Sequence, residues 1–150
     1  MKKIGLNIAL VLSFIFFLGC KTDNVNGILL ENNLVVHQDY SKNKRMVSLI
    51  KSSLNKDSSA FKSLIEFSHG GGESGYNLGY VITQIINKIG EDEIIKMVSK
   101  YDSNELNNFR SYIDVGLEYG DNDYDGEMDE TYIKDEFPKL NKYLMNKQNK

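Results

Sequence analysis

The hydrophobic pattern of this chain is helical over most of its length. Met46, Val47, Leu49, Ile50 and Leu54 recur at steps of three and four residues, which predicts an amphipathic helix from residue 41 to 54. Asp57 or Ser58 is placed to cap a second helix carrying Ala60, Phe61, Leu64, Ile65 and Ser68 on one face. The run His69-Gly70-Gly71-Gly72 stops it, because glycine costs about 1 kcal/mol against alanine inside a helix. Tyr76 to Ile89 carries the widest apolar stripe, with Leu78, Val81, Ile82, Ile85, Ile86 and Ile89, and this predicts a helix buried against several neighbours. Gly90 ends it.

Glu91 to Tyr101 restarts the helical pattern with acids in the first turn and Ile94, Ile95, Val98 and Tyr101 facing inward. Asp102-Ser103-Asn104-Glu105 has capping-box spacing and opens a helix with Leu106, Phe109, Ile113 and Leu117 inward, ended by Gly120. Pro138 suits a first helical position and predicts a last helix to Met145, with Leu140, Tyr143 and Leu144 inward. The expected fold is therefore all-α, a small bundle of about six helices in antiparallel pairs. Two apolar triplets, Ile28–Leu30 and Leu34–Val36, leave room for a short β-hairpin near residues 28–36 or for an extended strap on the helices. The domain is expected to span residues 28–146, with a frayed tail at 147–150.

The N-terminus departs from this pattern. Lys2 and Lys3 precede an apolar run from Ile8 to Leu18, only about half the roughly 20 residues that span a bilayer as a helix. Charge, length and flanks match an export signal. Cys20 follows Phe17-Leu18-Gly19 and is the chain's only cysteine. This segment resembles the lipobox of bacterial lipoproteins. The resemblance implies a signal peptide at residues 1–19, a lipidated Cys20 that begins the mature chain, and the membrane as a partner held through the acyl chains. Several such chains, at about 0.8 kcal/mol per buried methylene, hold a protein at a membrane stably. Residues 20–27 then serve as the lipidated cysteine and a polar linker. Lys21 is not the aspartate that marks inner-membrane retention, so the outer membrane is the expected location, facing the periplasm or the exterior.

Composition narrows the function classes. Hydrophobic residues make up 41% and charged residues 26%, as in ordinary globular chains. One cysteine excludes an internal disulfide framework and a cysteine zinc cage. The net charge of -3 argues against general nucleic-acid binding. Six of the acids (Asp121, Asp123, Asp125, Glu127, Asp129 and Glu130) fall in the segment DNDYDGEMDE at 121–130, which holds no base.

Asp121-x-Asp123-x-Asp125-Gly126 resembles the start of an EF-hand calcium loop. Such a loop needs alternating oxygen ligands and a glycine at its sixth position. The resemblance makes Asp121, Asp123, Asp125, Glu127 and Asp129 candidate metal ligands and calcium the candidate cofactor. The twelfth position, which supplies a bidentate carboxylate in that family, is Tyr132. Glu118, Glu130 or Asp135 could replace it. A basic protein partner is the second way to relieve the clustered charge, with Glu118, Tyr119, Tyr124 and Glu130 as contact residues. A solvated turn is the third reading.

Catalytic signals are sparse. His69, Glu73 and Ser74 bring a base, an acid and a hydroxyl within six residues, but without the strand-to-helix elbow of acyl-transfer enzymes. A glycine-rich turn explains the segment as well. No phosphate-loop lysine accompanies the glycines. Lys139, Lys142, Lys147 and Lys150 read as a solvated helix end that could also meet anionic headgroups. The chain therefore reads as a membrane-tethered binding protein. The alternatives are an immunity-type protein that neutralises a secreted toxin and a small envelope enzyme working near His69.

Overall fold

The computed structural model describes residues 23–31, 34–35, 38–68, 72–123 and 125–148. Cys20 and the whole signal segment lie outside them, as do His37, His69 and Tyr124.

The described chain begins with a hairpin of β1 (Asp23–Val25) and β2 (Ile28–Leu30). Asn26 and Gly27 join the strands with φ of 54° and 83°. Positive φ at both central residues is the turn that matches strand twist, and Asn-Gly is its preferred sequence. Asn24 Oδ1 accepts the Gly27 N–H at 2.7 Å. The hairpin thus lies one strand earlier than the triplets suggest. Part of the expected linker is strand, and Leu34 and Val35 are helical. The antiparallel register pairs Val25 with Ile28 and Asp23 with Leu30, and this turns Val25, Ile28 and Leu30 into the core.

Seven helices follow among the described residues: α1 (Tyr40–Leu54), α2 (Ser58–Ile65), α3 (Glu73–Ile89), α4 (Glu91–Met97), α5 (Ser103–Tyr119), α6 (Ile133–Glu136) and α7 (Pro138–Gln148). The architecture is the expected all-α bundle, with a short hairpin added. Aspartates open three of the helices. Asp39 accepts from Lys42 N, Asp57 from Ser59 N and Ala60 N, and Asp102 from Glu105 N. The last is a full capping box, since Glu105 accepts the Asp102 N–H at 2.8 Å.

Hydrogen bonds from the Ser59 hydroxyl and the Ala60 N–H hold the Asp57 carboxyl below its ordinary range. A lowered folded-state pKa stabilises above the unfolded value, and that stabilisation fades as pH falls through the folded one. The α2 cap is therefore a feature of neutral pH that acid removes.

α2 ends at Ile65, short of Ser68 and the glycines expected to stop it, and α3 begins at Glu73 rather than Tyr76. Three further differences have a local reason. α4 ends at Met97 rather than Tyr101, because Asp102 must be extended to cap α5. Phe137, kept out of the α region by Pro138, sits at φ −126° and ψ 65°, and this separates the additional helix α6 from α7. α7 runs on to Gln148, since no breaker follows Met145.

α3 is the central helix. Leu78, Val81, Ile82, Ile85 and Ile86 are fully buried, and α5 is its most extensive neighbour. Gln84, only 4% exposed, satisfies both backbone groups of Leu29, accepting from its N–H at 2.8 Å and donating to its carbonyl at 3.1 Å. A side chain thereby completes the β2 ladder and fastens the hairpin to α3. Phe61 of α2 meets Phe109 of α5 edge-on at 5.6 Å. Glu91 of α4 accepts the Leu140 N–H at 2.7 Å, and so serves an orphan donor at the start of α7.

The α3–α5 crossing is close because Gly79 and Gly116 face each other. A Cβ on Gly116 would stand 2.3 Å from the Gly79 carbonyl oxygen, and one on Gly79 would stand 2.6 Å from the Tyr112 oxygen. Helix propensity alone favours alanine by about 1 kcal/mol. Backbone overlap outweighs it, because neither helix can yield without moving the core. Gly116→Ala is expected to lower stability by about 1–3 kcal/mol in urea unfolding, the range for overpacked sites. An unchanged or raised midpoint would show that the helices do not meet at this distance.

Candidate functional site

The acidic segment emerges from the α3–α5 crossing. α5 ends at Gly120, where a Cβ would fall 2.3 Å from the Gly116 oxygen and 2.7 Å from the Tyr80 ring. Glycine is required there by crowding. The chain then turns under Asn122, which binds both helices. Its Oδ1 accepts from the Thr83 hydroxyl at 2.9 Å, and its Nδ2 donates to the Gly116 carbonyl at 3.0 Å. Tyr80 Oη donates to the Asp121 carbonyl at 2.6 Å. The returning strand of the loop closes the base, with Asp129 N–H to the Gly120 carbonyl and Thr131 N–H to the Leu117 carbonyl, both at 3.2 Å.

Above this base the loop is ordered by its own acids. Gly126, at φ 93°, donates its N–H to Asp121 Oδ2 at 3.1 Å. Asp123 Oδ1 accepts from Asp125 N at 3.1 Å, and Asp125 Oδ1 accepts from Glu127 N at 2.8 Å. These bonds draw Asp121, Asp123 and Asp125 together, so that one carboxylate oxygen of each lies within 4.8 Å of the other two. Bonds of about 2.4 Å to calcium permit ligand separations up to about 4.8 Å, so the triad can share one ion. Asp121 Oδ1 is buried without a hydrogen-bond partner. An anionic oxygen in that state is unfavourable unless something cationic satisfies it.

The other expected ligands stand apart. Asp129 accepts the Asn122 N–H at the loop base, and Glu127 is exposed outside the triad. Tyr132 is exposed at the N-cap of α6. Glu130, at φ 49°, takes a left-handed conformation uncommon for its type. Tyr124 is outside the described residues.

Glu31, at the end of β2, was not legible as part of this site. It lines a groove of about 630 Å³ with Tyr119, Asp121, Glu127, Met128 and Glu130. Burial, and secondarily the negative charge of Asp121, push the Glu31 carboxyl above its ordinary range. Among the described residues the groove therefore gathers four carboxylates and no base. Its rim is partly apolar, with Met128 61% and Tyr119 43% exposed. The Tyr119 ring stacks at a tilt on Tyr76, centroids 4.8 Å apart. The Glu118 carboxylate accepts from the Tyr119 hydroxyl and raises its pKa.

Among the other sequence candidates, Ser74 is buried near the start of α3, and Glu73 is its first residue. With His69 undescribed, no catalytic grouping forms among the described residues there. No described helix is long and apolar enough to cross a membrane. Comparison with protein-family models, with curated proteins and with solved structures finds no match to this chain.

Proposed function

We propose that this chain is an exported bacterial lipoprotein, tethered through Cys20, whose helical domain binds a partner through a calcium-stabilised acidic loop. The triad of Asp121, Asp123 and Asp125 carries the loop part of this reading, because its oxygens stand at separations one ion can bridge. The orphaned Asp121 Oδ1 supports it. Calcium binds six to eight oxygens, and the loop lacks the bidentate carboxylate at its twelfth position. Glu31 joins Glu130 as a candidate to compensate, since both share the groove with Asp121 and the Asp121 charge acts on Glu31. A site assembled this way belongs in the 10⁻⁴–10⁻³ M affinity class of extracellular modules. That class suits a protein outside the cytoplasm.

A second reading has its own support. The four-carboxylate groove with Tyr119 and Met128 at its rim fits a basic protein partner, as an immunity-type protein would need. Charge at such a rim speeds association, and tyrosine is among the residue types enriched where binding energy concentrates. Under this reading a lysine or arginine takes the place of the ion.

Calcium at 10 mM is expected to stabilise the chain by about 1.4–2.7 kcal/mol and to raise its melting temperature by about 4–11 °C. Asp123→Asn with Asp125→Asn should abolish the shift, and Glu31→Gln should reduce it. No shift in the unaltered chain would leave the basic-partner reading in its place. For the tether, Cys20→Ser is expected to move the protein from the membrane fraction to the soluble fraction of its host. Equal membrane association of both forms would overturn the lipid anchor.

A further inference from the structure

α1 carries the bases Lys42, Lys44, Arg45 and Lys51 and no acid. All four are exposed, and none joins an ion pair among the described residues. Met46, Ile50 and Ser53 turn to the core, so helix geometry places Tyr40, Lys44, Ser48 and Lys51 in one outward stripe with Arg45 beside it. Tyr40 opens the helix and is 83% exposed. A tyrosine left in water beside a row of bases has the composition of an interfacial surface, where the ring sits at headgroup level and the bases meet phosphates.

Two acids adjoin this face. Asp39 caps α1, and its carboxylate accepts from the Ser41 hydroxyl and the Lys42 N–H. Glu66 lines a small cleft between α1 and α2 with Lys42 and Arg45, and it also stands 3.8 Å from Lys62. Set against four bases, they leave the face cationic, and neither belongs to the stripe itself.

The start of the domain brings this face toward a membrane. Cys20 precedes Asp23 of β1 by three residues, which extend to at most about 11 Å. β1 packs against α1, and Asn43 of α1 donates to the Val35 carbonyl at 2.8 Å, just beyond the hairpin. The acidic groove also reaches this end of the hairpin, through Glu31. Among the described residues none of α1 lines that groove. A tether this short leaves both surfaces within reach of the headgroups, and an anionic bilayer attracts one and repels the other.

We infer that α1 is the membrane-facing side of the tethered domain, with Lys44, Arg45 and Lys51 on anionic headgroups and Tyr40 at the interface, so that the acidic groove is turned away from the bilayer toward its partner. The inference rests on the lipid anchor at Cys20 and not on calcium binding. The tether selects a lipid surface over an acidic protein, because it holds the headgroups within reach at all times.

The test uses the lipidated chain reconstituted in vesicles of phosphatidylcholine alone or mixed equally with phosphatidylglycerol. Cys20 is the only cysteine, and its thiol is blocked once acylated. Ser48→Cys therefore takes a single nitroxide on the α1 stripe, and Met128→Cys takes one on the acidic loop. Electron paramagnetic resonance reads the access of a neutral nickel chelate to each label. At position 48 access is expected to fall at least about fivefold on the mixed vesicles, the factor that one base near an anionic surface supplies. Position 128 should stay open. Lys44→Glu with Lys51→Glu should restore access at position 48, and so should about 1 M salt, where screening shortens to about 3 Å. The salt arm needs no charge reversal, so it stands if that variant unfolds. A chain that floats with both vesicles but keeps position 48 equally open on each would overturn the inference and leave the anchor in place. So would shielding of position 128 instead, or shielding of position 48 that survives both salt and charge reversal. Shielding of position 48 by added polyglutamate but by neither vesicle would assign the face to an acidic protein and likewise overturn the inference. A chain that floats with neither vesicle would overturn the anchor and the inference together.

Discussion

The closeness of α3 and α5 at Gly79 and Gly116 is the constraint on which the rest of the molecule depends. Without side chains at the crossing, the backbones approach closely enough for Thr83 of one helix and the Gly116 carbonyl of the other to reach a single residue, Asn122. That residue anchors the start of the acidic loop. Tyr80 adds a hydrogen bond to the backbone at Asp121. A loop with six acids in ten residues would otherwise be driven open by its own repulsion, about 1 kcal/mol for a close pair even in water. Here the packing of two apolar helices sets where the charges sit.

The hairpin extends the same logic. Gln84 fastens β2 to α3, and β2 delivers Glu31 to the loop's groove. Two segments some ninety residues apart in sequence thus meet because both attach to one helix. The proposed lipid tether would begin immediately before this hairpin, so the acidic groove would stand near the anchored end of the domain's chain.

Much of the fold could be read from local signals. Asp57 and the Asp102–Glu105 capping box mark helix starts by hydrogen bonds made within four residues, and the apolar stripe of α3 reports its burial directly. The hairpin's position is encoded less by the apolar triplets than by Asn26-Gly27, the dipeptide that suits a turn with positive φ at both central residues. At the candidate site, the Asp121, Asp123 and Asp125 spacing was legible, and the structure draws these three together. Glu31 and Asn122 were not, because their roles come from tertiary contacts that no spacing encodes. Position alone makes Asp129 a candidate ligand, yet it accepts from the Asn122 N–H, a competing donor that the folded loop supplies.

The most direct test of a preformed, cation-accepting loop is an amide NMR titration of the full chain with calcium into the millimolar range. The account predicts that the resonances of Asp121, Asp123, Asp125 and Gly126 move together while those of Thr83 and Gly116 stay in place, since the ion would enter a loop already anchored at its base. Loop resonances that do not move, or shifts spread across the α3–α5 crossing, would contradict it.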